Sequence, residues 1–179
     1  MNGEGNTSLL WGRLSGVGLI TALVAGFLDQ ATKLWLLFPF RLDAKGAVPV
    51  TPFFDLVLTW NKGISYGLLQ QQGPFGQWAL LLFKALAVLL LWIWLARAAS
   101  RLTAISLGLI VGGAVGNAID QVAYGAVADF AHFHVATATW SFSWYVFNLA
   151  DVAIVVGVAG LLYESLLGDR AAKAPRSGT

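Results

Sequence analysis

The chain contains no cysteine, which excludes disulfide bridges, thiol nucleophiles and zinc sites built on thiolates. Charge is scarce as well. Asp, Glu, Lys and Arg make up 11% of the 179 residues, against roughly 25% in a soluble domain. A net charge of +2 leaves no nucleic-acid footprint, so the basic residues read as membrane topology signals. No internal repeat is visible. What is abundant is apolar: 58% of residues are hydrophobic, 13% are aromatic, and mean hydropathy is +0.71. So little polar surface cannot cover a folded chain in water. The composition predicts an α-helical integral membrane protein, with residues 1–179 forming a single membrane domain.

A spanning helix needs ~20 mostly apolar residues, and four stretches qualify, at about 14–38, 75–96, 102–123 and 144–167. The first follows Arg13 and resembles a cleaved leader, but its apolar run continues through DQATKLWLLF, too long for such a segment. Polar tails are expected at 1–12 and 169–179. Arg13, Arg97, Arg101, Arg170, Lys173 and Arg176 fall on one side of the bundle. Arg41, Lys45 and Lys62 fall on the other, with Lys33 near the end of the first span. By the positive-inside rule both termini are cytoplasmic. Residues 39–74 then lie outside. They carry β-rich runs such as FFDLVLTW and ISYGLL, broken by Pro49, Pro52, Gly63 and Gly67. That pattern predicts a small β element on the outer membrane face. Residues 124–143 form a second outer connection, whose end, WSFSWYVF, suits the interface.

Against this background the acids stand out. The first and third spans run outward and the fourth inward, so Asp29, Asp120 and Asp151 all fall in the outer part of the bilayer. Asp129 follows closely enough to fold back over the same place. An intramembrane carboxylate costs ~2.5–3.5 kcal/mol on insertion scales, and four near one level are too many for decoration. The segments NAID at 117–120 and NLAD at 148–151 each set an Asn and an Asp one helical turn apart. Gly112, Gly113 and Gly116 permit a close helical neighbour. A hydrogen-bonded staple between helices accounts for Asp120, and accounts for Asp29 as well as a functional role does. It accounts poorly for Asp129 and Asp151 together. Asn117 and Asn148 read as organisers that orient carboxylates or donate to oxyanions.

Two carboxylates that share one proton can activate a water and protonate a departing amine. Their titrations split because neighbouring like charges cannot both ionise. This is aspartic-peptidase chemistry and needs no metal. His132 and His134 alternate as on a strand, but no third ligand is evident, so no metal site and no cofactor are predicted; interfacial histidines are the blander account. Lys84, inside the second span, snorkels or pairs with an inward acid. Spacing alone leaves open whether Asp129 or Asp120 is the partner of Asp151.

Five blocks, DQATKLW at 29–35, NKGISYG at 61–67, GGAVGNAIDQ at 112–121, GAVADF at 125–130 and FNLADVAIVVG at 147–157, resemble the lipoprotein signal peptidase (signal peptidase II) family in order and spacing. The resemblance covers nearly the full length. It implies four transmembrane helices with a small β-cradle and an outer loop lying on the membrane surface, in the bacterial inner membrane. It also implies an aspartic endopeptidase that cuts prolipoproteins before a cysteine already carrying diacylglycerol. Its partners are then that lipidated substrate and membrane lipid, with no nucleic acid, and a monomer suffices. Carried over by motif, Asp129 and Asp151 match the family's catalytic dyad, and Asp29, Asn61, Asn117, Asp120 and Asn148 match its polar supporting positions. The resemblance thus chooses Asp129 over Asp120. The chain departs from the family at Gln121, where an Arg is usual, and at Lys62, Ser65, Tyr66 and His132; these departures bear on substrate range and rate.

Two other classes compete: a proton-coupled transporter and a catalytically inactive membrane scaffold. Intramembrane acids often mark ion paths, but only Glu164 lies in the inner half, and a path needs polar groups at both levels. The scaffold reading rests on Gln121 alone.

Overall fold

The computed structural model describes residues 9–62, 74–137 and 139–173. Among these residues, five helices and four strands follow in the order α1 (Ser15–Leu37), α2 (Leu42–Lys45), β1 (Val48–Thr51), β2 (Phe54–Asn61), α3 (Pro74–Ala96), α4 (Arg101–Tyr124), β3 (Val127–Ala136), β4 (Ser141–Ser143) and α5 (Leu149–Lys173). Among the described residues, three helices are long and apolar enough to cross a membrane: Ser15–Leu37, Arg101–Tyr124 and Leu149–Leu166. Leu81–Ala96 within α3 is a shorter apolar stretch. Burial is inverted relative to a water-soluble bundle. Large side chains such as Phe27, Phe83, Leu90, Val155 and Leu162 face outward, whereas Asp29, Lys33, Asp120 and Asn148 are enclosed. Apolar solvent outside removes the reason to bury Leu and Phe, and a bundle interior is where polar groups find partners.

Helix α4 sits at the centre and packs against α1, α3 and α5. Its adjacent glycines open two sides of it. A Cβ on Gly113 would stand 2.5 Å from the Ala150 carbonyl oxygen of α5, and one on Gly112 would run into the Ala22 backbone of α1. The helix begins at Ser100, whose hydroxyl accepts from the Thr103 amide at 3.0 Å. It ends at Gly125, where φ of 69° lets the chain turn at once into β3.

The strands pair antiparallel in sequence order, β1-β2-β3-β4. Val57 and Leu58 together oppose Phe130, a bulge between the pairs Leu56↔Ala131 and Thr59↔Asp129. The sheet closes on the end of α1 through a small core of Leu36, Leu42, Phe130 and Ala131, with Phe54, Leu56 and Phe147 against it.

Several boundaries differ from the sequence-based expectation. Residues 124–143, expected as a loop, largely form β3 and β4. The last helix starts at Leu149 rather than near 144, because the backbone of Trp144 and Phe147 is engaged by Phe133 and Ala131 of β3. It also runs to Lys173, into the expected polar tail. Residues 9–12, assigned to the other tail, are docked: Trp92 Nε1 donates to the Leu10 carbonyl at 3.0 Å, and Trp11 lies 6.4 Å from the Trp92 ring. Positions 1–8 and 174–179, with Ser65 and Tyr66, lie outside the described residues.

Candidate active site

Two polar sets meet where the later turns of α1 and α4 approach β3 and the start of α5. The first is a charge cluster. Asp29 and Lys33 are one turn apart in DQATK, and the Lys33 ammonium lies 2.8 Å from Asp29 Oδ2 and 2.8 Å from Asp120 Oδ2. All three side chains are at most 2% exposed. Gln30 Nε2 donates to Asp120 Oδ1 at 2.8 Å and to the Gly116 carbonyl at 3.0 Å. Gly116 leaves the room this needs, since a Cβ there would stand 2.7 Å from Asp29 Oδ2. Both carboxylates also reach other elements. Asp29 Oδ1 accepts from the Ala150 amide of α5 at 2.9 Å, and Asp120 Oδ2 from the Ala128 amide of β3 at 3.1 Å. One ammonium between two acids therefore fastens α1 to α4, α5 and the sheet.

The second set holds Asp129 and Asp151, and its donors are amides. Asp129 lies on β3 opposite Thr59, two residues from Asn61 on the facing strand, so Asn61 and Asp129 share one face of the sheet. Asn61 Nδ2 donates to Asp129 Oδ2 at 3.1 Å. Asn148 Nδ2 donates to Asp129 Oδ1 at 2.6 Å and to Asn117 Oδ1 at 3.0 Å. Asp151 stands in the first turn of α5, and NLAD there is a reciprocal cap. Asn148 Oδ1 accepts from the Asp151 amide at 3.0 Å, and Asp151 Oδ2 accepts from the Asn148 amide at 3.1 Å. Asn148 thus precedes the helix instead of sharing its face with Asp151, as the spacing had suggested. Asn117 Nδ2 donates to Asp151 Oδ1 at 3.0 Å, and its own oxygen accepts from Lys33 at 3.1 Å. Asn117 is therefore the link between the two sets.

The electrostatics separate the acids. Burial pushes the Asp129 carboxyl up to about 6, and the charge of Asp151 adds to the rise against the Asn61 and Asn148 amides and the Lys33 ammonium. Asp151 sits in the first turn of α5. Such a pair can hold one proton between unlike environments, as general acid–base work on water and a leaving amine requires.

All seven expected residues converge here. Asn61, Asn117, Asn148, Asp129 and Asp151 form one network, and Asp29 and Asp120 form the cluster beside it. Lys33 and Gln30 were missed, although the i,i+4 spacing of Asp29 and Lys33 was a visible signal. Lys84 on α3 interacts through space with Asp151. Gln121 turns away, its Nε2 donating to the Gly125 carbonyl at 3.1 Å, and its buried Oε1 has no partner among the described residues. Glu164 accepts a hydrogen bond from Thr103. His132 and His134 stand near a third potential ligand that the sequence did not reveal, Asp55.

The family profile of signal peptidase (SPase) II matches residues 21–167. The chain belongs to this family. Among its relatives are the lipoprotein signal peptidases of Rhodopseudomonas palustris (strain TIE-1), 63% identical over 89% of this chain and 97% of the relative, and of Nitrobacter hamburgensis, 62% identical over 88% and 96%. A solved bacterial membrane enzyme shares the fold, with a TM-score of 0.67 at 23% identity over 92% of this chain and 95% of that one. This signal peptidase II family member is accordingly a peptidase and a bacterial membrane protein. Residues 21–167 run from within α1 through most of α5, and hence take in both polar sets.

Proposed function

We propose that this chain cleaves signal peptides from diacylglyceryl-modified prolipoproteins, immediately before the lipidated cysteine, with Asp129 and Asp151 as the catalytic pair. The carboxylate form of one acid takes a proton from water as the water oxygen bonds to the scissile carbonyl carbon. The protonated partner then delivers its proton to the amine nitrogen as the C–N bond breaks. Burial favours Asp129 as the holder of the shared proton. The observation that carries this reading is Asn148, which contacts both carboxylates at once: its amide group donates to Asp129, and its backbone and side-chain oxygen engage Asp151. Asn61 and Asn117 orient the same two acids, while Asp29 and Asp120 support them from the charge cluster.

In this reading four helices cross the bacterial inner membrane with both termini cytoplasmic, and one membrane domain works as a monomer without a cofactor. The sheet, with residues 124–143, lies on the outer membrane surface. A diacylglyceryl chain anchors the substrate cysteine at the level of the acids, so the scissile bond is presented as if intramolecular. Purified protein should cut a synthetic lipidated prolipoprotein in the presence of chelator, and should cut the unlipidated peptide far more slowly. Equal rates on both peptides would overturn the substrate assignment. The absence of cysteine makes orientation directly measurable: Asn6→Cys and Ala99→Cys should be labelled only from the cytoplasm, and Ala47→Cys and Thr139→Cys only from outside.

A further inference from the structure

Both histidines of the chain and one aspartate gather on the sheet away from the acids described above. Antiparallel pairing sets Asp55 of β2 opposite His132 of β3. The two-residue strand repeat puts His134 on the same face as His132. Phe54 and Phe133 pair on the opposite face, 4.9 Å apart. The imidazoles stack at 5.3 Å between centroids, and Asp55, His132 and His134 each offer a ligand atom within 4.8 Å of the others.

Ordinary hydrogen bonding does not account for this cluster. His134 Nε2 is buried and lies 3.0 Å from Asp55 Oδ2, yet it forms no aligned hydrogen bond with any described residue. Two atoms that bind one tetrahedral cation stand about 3.3 Å apart and aim at a common third point rather than at each other, given ligand distances of about 2.0–2.1 Å. The separation and the misalignment both fit that arrangement. A second polar contact supports the histidine that pairs with Asp55: His132 Nε2 is 2.7 Å from Ser143 Oγ on β4. A ligating imidazole needs such an outer partner on its other ring nitrogen.

We propose that Asp55, His132 and His134 bind a divalent transition-metal ion of the zinc class. Two imidazoles and a carboxylate suit zinc, and a fourth position is left for water. The ion clasps β2 to β3, and the Ser143 contact extends the clasp to β4. His132 and His134 lie three and five residues beyond Asp129 on the strand that carries it, and the two-residue repeat directs them to the opposite face. The ion therefore steadies the sheet and takes no part in hydrolysis.

The test uses full-length protein in detergent, purified through a tag free of histidine. With two histidines and no cysteine in the chain, background binding is low. Metal-stripped protein should take up one equivalent of Zn2+, and Co2+ should give the strong visible absorption of a tetrahedral site. Thermal unfolding should move to higher temperature with the ion. Asp55→Ala, His132→Ala and His134→Ala should each weaken affinity by about a hundredfold or more, while cleavage of lipidated peptide persists as the check that the variants fold. No stoichiometric uptake by the wild type, or uptake unchanged in all three variants, would overturn the proposal. If the variants fail to fold, the wild-type Co2+ spectrum and stoichiometry decide it alone. Loss of cleavage on chelation would instead count against a purely structural role and against the metal-free chemistry proposed above.

Discussion

Four aspartates lie within one end of this bundle, in two pairs treated in opposite ways. Asp29 and Asp120 share the Lys33 ammonium, and each also accepts from a backbone amide of a neighbouring element. One cation in direct contact offsets part of their charge, so they are fasteners. Asp129 and Asp151 receive hydrogen bonds from asparagine side chains and a helix terminus, and neither is in ion-pair contact with a cation among the described residues. These donors orient the carboxylates without a neighbouring cation, as the proposed sharing of one proton requires. The difference teaches that enclosure alone does not make an acid reactive. Under the proposed assignment, what distinguishes Asp129 and Asp151 is donors that position a carboxylate without a cation in direct contact.

The sharpest way to break the comparison is to neutralise each pair. Asp129→Asn or Asp151→Asn should lower cleavage of a lipidated peptide by about a thousandfold or more with membrane insertion intact. The double variant should be scarcely slower, because groups acting as one unit are strongly non-additive. Asp120→Asn should leave residual activity. Should Asp120 prove indispensable and Asp129 dispensable in the same assay, the pairs have been assigned the wrong way round.

Removing the cation should strike stability first. Lys33→Met leaves two enclosed carboxylates without their shared partner, a loss on the order of 3–5 kcal/mol for a broken buried pair. Unfolding temperature in detergent should drop steeply, and adding Asp29→Asn and Asp120→Asn should restore part of it. Full stability with abolished cleavage would mean that Lys33 acts chiefly through Asn117 on Asp151, and the two regions would be one. Gly113→Ala tests the framework that holds the pairs together: the added methyl meets the Ala150 carbonyl oxygen at 2.5 Å and Ile154 Cγ1 at 2.9 Å. Overpacking of this kind costs about 1–3 kcal/mol, and a thermal scan would show it.

A smaller effect follows from the raised titration of Asp129, about 6 against an ordinary value of 3.8. The fold binds this proton more tightly than the unfolded chain does. The associated stability is full at low pH and is lost as pH rises through about 6. Asp129→Asn has no such loss. Its unfolding temperature relative to wild type should therefore climb from about pH 4 to about pH 6 and level off above, and a constant difference across that range would sink the burial argument. The smallest change expected is from Gln121→Arg. Gln121 points at its own helix end, with one oxygen unpartnered among the described residues. Cleavage should be equal or faster, and a large loss would mean that the network is tuned to a neutral side chain.

The amino-acid sequence by itself determined the membrane class, the apolar segments and the candidate acids, because each is written in local composition. A run of about twenty apolar residues needs no tertiary context to be read as a span. An Asp within one is conspicuous wherever it points. The five motif blocks carried the family as well. Local pattern was less informative where backbone partners lie far along the chain. Residues 124–143 read as a loop since β3 pairs with β2 residues some seventy positions away, and the last helix could not be started correctly without the β3 bridge at Phe147. Tertiary structure alone decided that Lys33 turns inward between two acids, that NLAD is a cap and not a helical face, and that Asp55 stands beside both histidines. Each of these depends on a side chain meeting an element distant in sequence, and the free energy of such a meeting exists only once the chain has folded.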